Sequence, residues 1–251
     1  MDPHGPNAWL NPAGGLRYHA RALFGSQLWA PYRASLHTWL SRFEHGSPRV
    51  VLVGPSAAHC ISDAFLSRFS EITALEPDPL AGFLLARRLR RLGLPEPHLE
   101  RKDQLVRPLL ENTPGLAERL SADPNACVVF CNLLGQARFL MRDDEFLRFK
   151  AAFRERILPV LAERAWLSFH DRFSGSLAPV FDAPFTAPAR LSDAEVLRRL
   201  YPAEGVASQE LLDHQSDGFF PERLPHAYLS WRIDRRRSHL IEGVASAGAA
   251  R

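Results

Sequence analysis

The sequence is short of cysteine, of long apolar runs and of net charge, and each shortage excludes a class of protein. Its three cysteines are an odd number, and Cys127 and Cys131 lie on one predicted strand roughly 13 Å apart, too far for a disulfide. This usage favours a reducing compartment, and we expect a cytoplasmic protein. No run approaches the roughly 18 apolar residues of a membrane span, and the first residues contain no apolar signal core. We therefore expect neither a membrane span nor a signal peptide.

Several catalytic motifs are also missing. No Gly-Lys-Ser/Thr follows a glycine turn, which excludes a phosphate-binding P-loop. The absence of G-x-S-x-G argues against a serine hydrolase. The ten histidines show no H-x-x-x-H spacing and the cysteines no C-x-x-C spacing, so no metal site is predicted. The net charge of +3 is too small to indicate a nucleic-acid partner.

The composition is that of a folded enzyme-sized domain. Apolar residues make up 46% of the 251 residues and charged residues 24%, which excludes wholesale disorder. The length suits one large α/β domain, or a domain that carries a substantial insertion.

A strand–turn–helix–strand pattern between residues 49 and 79 organises the chain. The apolar run at 50–53 predicts a strand buried on both faces, and a turn of small residues begins at Gly54. A helical pattern at 61–69 leads to a second apolar run that ends at Glu76. An acidic residue about 20 residues beyond the turn is where nucleotide-binding folds place the carboxylate that holds ribose.

The turn lacks the full glycine signature of a dinucleotide site. Ser56 stands where G-x-G-x-x-G requires glycine, and Pro55 has no backbone N–H to offer. Gly54 still allows a sharp turn, and the small side chains let a ligand approach the backbone. The ligand is therefore expected not to be held mainly through phosphate groups.

The rest of the chain continues the alternation of helices and strands. The patterns predict helical segments at 16–43, broken near Pro31, at 79–92, at 104–120, with an interruption, and at 143–162. They predict strands at 94–99, which is weak, at 126–131 and at 166–169, and a closing antiparallel pair at 228–233 and 239–244. Between 173 and 225 we predict no strand, only a short helix at 193–200 opened by Ser192.

The stretches VLVGPSAAHC and ITALEPDP resemble the first half of class I S-adenosylmethionine-dependent methyltransferases. The resemblance implies a Rossmann-like α/β fold over roughly residues 45–245. Its sheet would be seven-stranded and mostly parallel, with a C-terminal antiparallel hairpin and helices on both faces. Residues 1–44 would form an N-terminal arm and helical cap, and about 173–225 a substrate or lid insertion within the domain at 45–251. The implied cofactor is S-adenosylmethionine.

The same resemblance implies which residues meet the cofactor. Glu76 would hold the ribose and Asp103, after the third strand, would lie beside the adenine. Tyr18, His19 and Arg21 on the leading helix could meet the amino-acid end, or could equally be surface residues. The full implied set is Gly54, Pro55, Ser56, Glu76, Asp103, Asn132, Leu133, Tyr18 and Arg21.

Two histidines are candidates for a catalytic base. His170 follows the predicted strand at 166–169, and Asp171 could orient it or a neighbouring group. His214, next to Asp213 in the late segment, is the rival. Each histidine is also compatible with a purely hydrogen-bonded structural role. His239 and Glu242 lie three residues apart on one predicted strand, hence on opposite faces, and are expected to be structural.

The sequence thus predicts methyl transfer from S-adenosylmethionine to a small-molecule or macromolecular acceptor that it does not identify. One alternative is a non-catalytic methyltransferase-like binding or interaction module, because the glycine turn is incomplete. Another is an RNA-binding or RNA-modifying protein, suggested by the arginines at 87–91. That basic run is more simply a solvated helix face, so nucleic acid is not the favoured partner.

Overall fold

A computed structural model describes residues 15–181, 183–202 and 211–248. Their strands are β1 (Arg49–Val53), β2 (Glu71–Leu75), β3 (His98–Glu100), β4 (Cys127–Cys131), β5 (Trp166–Gly175), β6 (Phe185–Ala187), β7 (Leu211–Asp213), β8 (His226–Arg232) and β9 (Ser238–Ser246). Their helices are α1 (Gly15–Phe24), α2 (Ser26–Ser41), α3 (Asp63–Leu66), α4 (Pro79–Arg91), α5 (Val106–Glu111), α6 (Leu116–Ala122), α7 (Leu133–Ala137), α8 (Asp143–Ala152), α9 (Leu158–Ala162) and α10 (Asp193–Leu200), with a π-helical turn (Phe153–Ile157) joining α8 to α9. None of these helices has the length and apolarity that crossing a membrane requires.

The strands form one sheet in the order β3-β2-β1-β4-β5-β9-β8-β6, with β7 paired to the end of β5. The first five strands run parallel to one another, whereas β9 runs antiparallel to both β5 and β8. The seven-stranded, mostly parallel sheet with a C-terminal antiparallel hairpin is therefore confirmed. The short strands β6 and β7 extend it beyond the prediction.

The sheet is covered on both faces, as its buried central strands require. Val50 and Leu52 of β1 pack in one apolar cluster with residues of α2 and α4, while Val51 and Val53 pack in another with α5, α6 and α8. Alternate residues of a strand point to opposite sides, so these two clusters lie on the two faces of the sheet. The predicted apolar stripe of the helix at 143–162 belongs to the second cluster.

The leading helical segment breaks at Gly25 and not near Pro31, so that prediction is wrong. A side chain at residue 25 would place its Cβ 2.7 Å from the carbonyl oxygen of Arg21, and only glycine fits the bend. Pro31 lies inside α2. Pro31 has no N–H to donate to the carbonyl oxygen of Gln27 one turn earlier. Gln27 is exposed, so water can bond this carbonyl instead.

The predicted absence of strands between 173 and 225 is also wrong. β5 continues to Gly175, so it has ten residues, and β6 and β7 both lie within the same segment. The second half of β5 is polar yet buried, because charged partners replace apolar contacts there, and a search for apolar runs misses such a strand. The short helix α10 begins and ends as predicted, with the Ser192 hydroxyl accepting from the N–H of Glu195.

Candidate functional site

The turn after β1 has the backbone conformation of a glycine turn although it contains one glycine. Gly54, Ser56 and Ala58 have φ angles of +64°, +52° and +53°, all in the left-handed region that favours glycine. A residue with a side chain loses roughly 1–2 kcal/mol in that region. The fold therefore maintains the shape of this turn at an energetic cost, which is typical of functional positions.

The Glu76 carboxylate closes the turn from the end of β2. One of its oxygens accepts a hydrogen bond from the N–H of Ser56 at 2.7 Å, and the other accepts from the N–H of Asp78 at 3.0 Å. Glu76 is 9% exposed. Burial raises its pKa to about 7, while the bonds from Asp78 and Ser56 act in the opposite direction. Each oxygen retains a free lone pair, so two further donors can be accepted.

A leucine at the start of α7 packs directly on the turn. A Cβ built on Gly54 would lie 3.0 Å from the Cβ of Leu133. Leu133 is half-buried, so its side chain forms part of the wall above the turn. Leu133, one of the residues implied to meet the cofactor, thus lies against the glycine of the turn.

Replacing Gly54 by alanine is expected to lower the free energy of unfolding by about 2 kcal/mol, because left-handed strain and crowding against Leu133 add. Gly46 is the matched control: its φ is +61°, but nothing lies within 4 Å of an added Cβ. Gly46→Ala should therefore lose only about 1 kcal/mol. Urea denaturation of both variants measures the difference, and equal losses would show that Leu133 does not crowd the turn.

Helix α1 lies against the same turn. The Nδ1 of His19 is 2.9 Å from the Nε2 of His59. The Nε2 of His19 is buried, lies 3.6 Å from an oxygen of Asp78 and has no hydrogen-bond partner among the described residues. The Tyr18 hydroxyl lies 3.8 Å from the sulfur of Cys60. The structure therefore brings Tyr18 to the turn, together with His19.

Arg21 and Asp103, two residues implied to contact the cofactor, make other contacts. Arg21 pairs with Asp234 in the turn between β8 and β9 at 3.7 Å. Asp103 caps α5: its oxygens accept from the N–H groups of Leu105 at 2.9 Å, of Val106 at 3.0 Å and of Arg107 at 2.8 Å. An aspartate just before a helix is a capping signal, and the sequence of this segment contains it.

Asn132 joins the ends of β4 and β5. Its side-chain oxygen accepts from the N–H of Asp171 at 2.8 Å, and its amide nitrogen donates to the Asp171 carboxylate at 3.1 Å. The side chain of Gln136 donates to the same carboxylate. Gly135 lies against the backbone of Asp171, where an added Cβ would be 2.5 Å from the nitrogen. Asn132, Gly135 and Gln136 therefore fix the position of Asp171.

Asp171 orients a histidine, but that histidine is His239. The Nδ1 of His239 donates to the Asp171 carboxylate at 2.7 Å. Burial disfavours the ionised carboxylate, but His239, His214 and Asn132 outweigh it and hold the pKa of Asp171 at about 2. His214 lies on the same side, with Nδ1 2.6 Å from the carbonyl oxygen of Gly135.

His170 lies on the opposite face, so the structure does not bring it together with Asp171. Adjacent residues of a strand point to opposite sides. The Nδ1 of His170 is 2.9 Å from the hydroxyl of Ser168, and its Nε2 is 4.0 Å from Glu242. Burial lowers the pKa of His170 to about 4, against the opposing charge of Glu242.

Glu242 is fully buried and is the centre of an ionic cluster on that face. One of its oxygens lies 2.8 Å from the Nδ1 of His226, 3.2 Å from the Nε of Arg190 and 3.5 Å from an Nη of Arg172. Burial opposes its charge, but these partners hold the pKa of Glu242 at about 2. His239 and Glu242 therefore do face opposite sides, as the sequence predicts.

Arg88, within the arginine run at 87–91, is held by contacts inside the protein, whereas Arg87, Arg90 and Arg91 are exposed. The guanidinium of Arg88 donates to the carbonyl oxygen of Ile61 at 2.6 Å and contacts the Asp63 carboxylate and the Ala58 carbonyl. Arg90 lies 3.5 Å from Glu96. Arg88 thus fixes the segment that follows the turn, and these contacts give no support to an RNA interface.

No protein-family profile matches this chain, and no curated protein matches it. Similar solved structures are the methyltransferase domain of bacterial CtHen1 (12% identity, 50% of this chain, TM-score 0.31), the N-methyltransferase NodS from Bradyrhizobium japonicum WM9 in complex with S-adenosyl-L-homocysteine (11%, 98%, 0.38) and the N-terminal domain of EvdMO1 with S-adenosylhomocysteine bound (12%, 96%, 0.39). The match spans 58% of the first of these chains, 94% of the second and 85% of the third.

All three TM-scores lie below 0.5, so these similarities carry no argument about the fold. The class of fold is defined instead by the order and direction of the strands in the sheet. The order β3-β2-β1-β4-β5-β9-β8, with the last two strands as an antiparallel hairpin, is the Rossmann-like arrangement that the resemblance to class I methyltransferases implies.

Proposed function

We propose that this chain binds S-adenosylmethionine across the turn after β1 and transfers its methyl group to an acceptor. The observation that carries the proposal is the Glu76 carboxylate, which lies at the end of β2, bonds the N–H of Ser56 and keeps two lone pairs for the two ribose hydroxyls. The left-handed backbone at Gly54 and Ser56 supports it, because such a turn lets a ligand approach the main chain closely.

Unpartnered polar atoms near the turn also fit a nucleoside ligand. The Nε2 of His19 and the hydroxyl of Tyr32 are buried and have no hydrogen-bond partner within the described residues. Burial raises the pKa of the Tyr32 hydroxyl, with smaller contributions from Cys60 and Asp171, so this hydroxyl is a neutral donor. Buried polar groups are normally paired, and a bound ligand would supply the missing partners.

The proposed reaction makes modest demands on the protein. The bound sulfonium supplies the methyl group, and the chain positions the acceptor in line with it. Glu76 fixes the ribose, while Leu133 and the turn exclude water from one side. A base is needed only for an acceptor that arrives protonated. The proposal therefore assigns no step to His170 or His214.

Titration of the intact protein with S-adenosylhomocysteine in a calorimeter tests the proposal. We expect saturable binding, and Glu76→Ala should weaken it by about 1–3 kcal/mol, the effect of losing a charge-assisted hydrogen-bond partner. Glu71→Ala is the matched control, because Glu71 is exposed at the other end of the same strand. No binding well above micromolar concentrations would remove the proposal, and equal affinity in the Glu76 variant would remove the ribose assignment.

A second candidate function is a binding or interaction module without methyl transfer. The specific observation in its favour is the Leu133 side chain, which already packs on Gly54 where a cofactor would approach. This candidate predicts a folded protein that does not bind S-adenosylhomocysteine, whereas Leu133→Ala, which uncovers the turn, would bind it. Binding by the unmodified protein would dismiss it.

A further inference from the structure

Two histidines and an aspartate from three separate segments meet near the end of β5. Asp171 comes from β5, His214 from the loop after β7 and His239 from β9. They are 0%, 2% and 7% exposed, and one potential ligand atom from each lies within 4.8 Å of the other two. Local motifs cannot reveal this group, because its members are far apart in the sequence.

His239 is incompletely satisfied by the protein. Its Nδ1 lies 2.7 Å from a carboxylate oxygen of Asp171, which can only accept, so Nδ1 carries the proton. Its Nε2 is buried without a hydrogen-bond partner in the described residues, so Nε2 can carry the ring proton if Nδ1 binds an ion. A dication can take the place of the proton between Nδ1 and the carboxylate, because metal ligands bind in their deprotonated form.

His214 is held as metal-binding histidines usually are. Its Nδ1 lies 2.6 Å from the carbonyl oxygen of Gly135, which again can only accept. The proton is therefore on Nδ1, and Nε2 presents its lone pair to the Ser174 hydroxyl at 2.9 Å. Donation of one ring N–H to a backbone carbonyl fixes the tautomer and orientation of a ligand histidine.

The charge of the group matches a dication. Asp171 carries one negative charge, and its other neighbours are the neutral amides of Asn132 and Gln136. Two neutral imidazoles and one carboxylate form a ligand set that divalent transition metals accept in proteins. We propose that Asp171, His214 and His239 bind a divalent transition-metal ion of the Zn²⁺ type.

The donors are Nε2 of His214, Nδ1 of His239, whose proton moves to Nε2, and the Asp171 oxygen that lies 2.7 Å from that Nδ1. Metal bonds of about 2.0–2.2 Å require these atoms to draw closer than 4.8 Å, and the Ser174 hydroxyl to release His214. Gly135 of helix α7 and Asn132, the residue just before that helix, hold the ligands in place. This inference is independent of the proposed methyl transfer, because it concerns the metal alone.

The test uses the full-length protein, freed of metal by chelation and titrated with Zn²⁺ in a calorimeter and with Co²⁺ in a spectrophotometer. We expect one ion per chain and visible Co²⁺ bands of a low-coordinate site. His239→Ala and His214→Ala should each weaken Zn²⁺ binding about 100-fold and abolish those bands. His98→Ala, which removes an exposed histidine outside the group, should change neither.

Circular dichroism of the metal-free proteins shows whether the variants fold. Asp171→Asn is the conservative variant, because it keeps the size of the side chain while removing its charge, and it should weaken binding at least tenfold. If every variant bound Zn²⁺ with an affinity within about threefold of that of the unmodified protein, the binding would be adventitious, at surface histidines. That result would overturn the proposal. Absence of saturable binding or of low-coordinate Co²⁺ bands in the unmodified protein would also overturn it, whether or not any variant folds.

Discussion

Glu242→Gln is expected to lower the free energy of unfolding by about 3–5 kcal/mol, the usual loss when a buried charge loses its partner. Glu242 and Arg172 are both fully buried, and Arg190 is 11% exposed. Neutralising the carboxylate leaves Arg190 without a described acidic partner and Arg172 with Asp193 alone, at 2.7 Å. The side chain keeps its size, so the loss measures charge and hydrogen bonding and not cavity formation.

Glu111→Gln provides the control for Glu242→Gln. Glu111 lies 3.8 Å from Arg107 one helical turn away, and both side chains are about 60% exposed. Such exposed pairs contribute up to about 0.5 kcal/mol, so this variant should be nearly as stable as the unmodified protein. Denaturant unfolding of both variants gives the comparison. A Glu242 variant that lost no more than the Glu111 variant would show that the buried cluster contributes no net stability.

The second large effect is a pH dependence that comes from Glu76. Its pKa rises from 4.5 to about 7 in the folded protein, so the folded state binds this proton more tightly than the unfolded chain does. Stability from this group is full below about pH 4.5 and is lost as the pH rises through about 7. At about 1.4 kcal/mol per pKa unit, the loss is about 3 kcal/mol.

The difference in unfolding free energy between the unmodified protein and Glu76→Gln isolates this effect. Between pH 4.5 and 8 the unmodified protein should lose about 3 kcal/mol relative to the variant. His59 and His170, whose pKa values burial lowers to about 4, act in the opposite direction in both proteins and cancel in the difference. A difference that does not change with pH would contradict the burial of an ionisable carboxyl at the turn.

The sequence predicts the parallel half of the sheet well, and the reason is physical. A strand buried on both faces must be apolar along its whole length, so β1 and β4 appear as short apolar runs. The carboxylate at Glu76 follows from the same pattern, because it ends the next run. The tight hairpin of β8 and β9 is predictable because only antiparallel strands can be joined so closely.

The sequence does not predict the polar contacts at the end of β5. Buried His170 and Arg172 pair with residues outside β5, namely Glu242 and the carbonyl of Leu191, and buried Ser168 bonds His170 within the strand. Such pairings depend on the register between β5 and β9, which no local pattern specifies. The pairing of Asp171 with His239, and not with His170, is an example.

The β5–β9 pairing contains a bulge between Asp171 and Phe173. Along this stretch the strand directs Arg172 toward the acid on one side of the sheet and Asp171 toward imidazoles on the other. Deleting Asp171 would bring Arg172 to the position that now faces the histidines and would take this guanidinium away from Glu242. A single deletion at the end of β5 would therefore disturb the charge balance on both faces of the sheet at once.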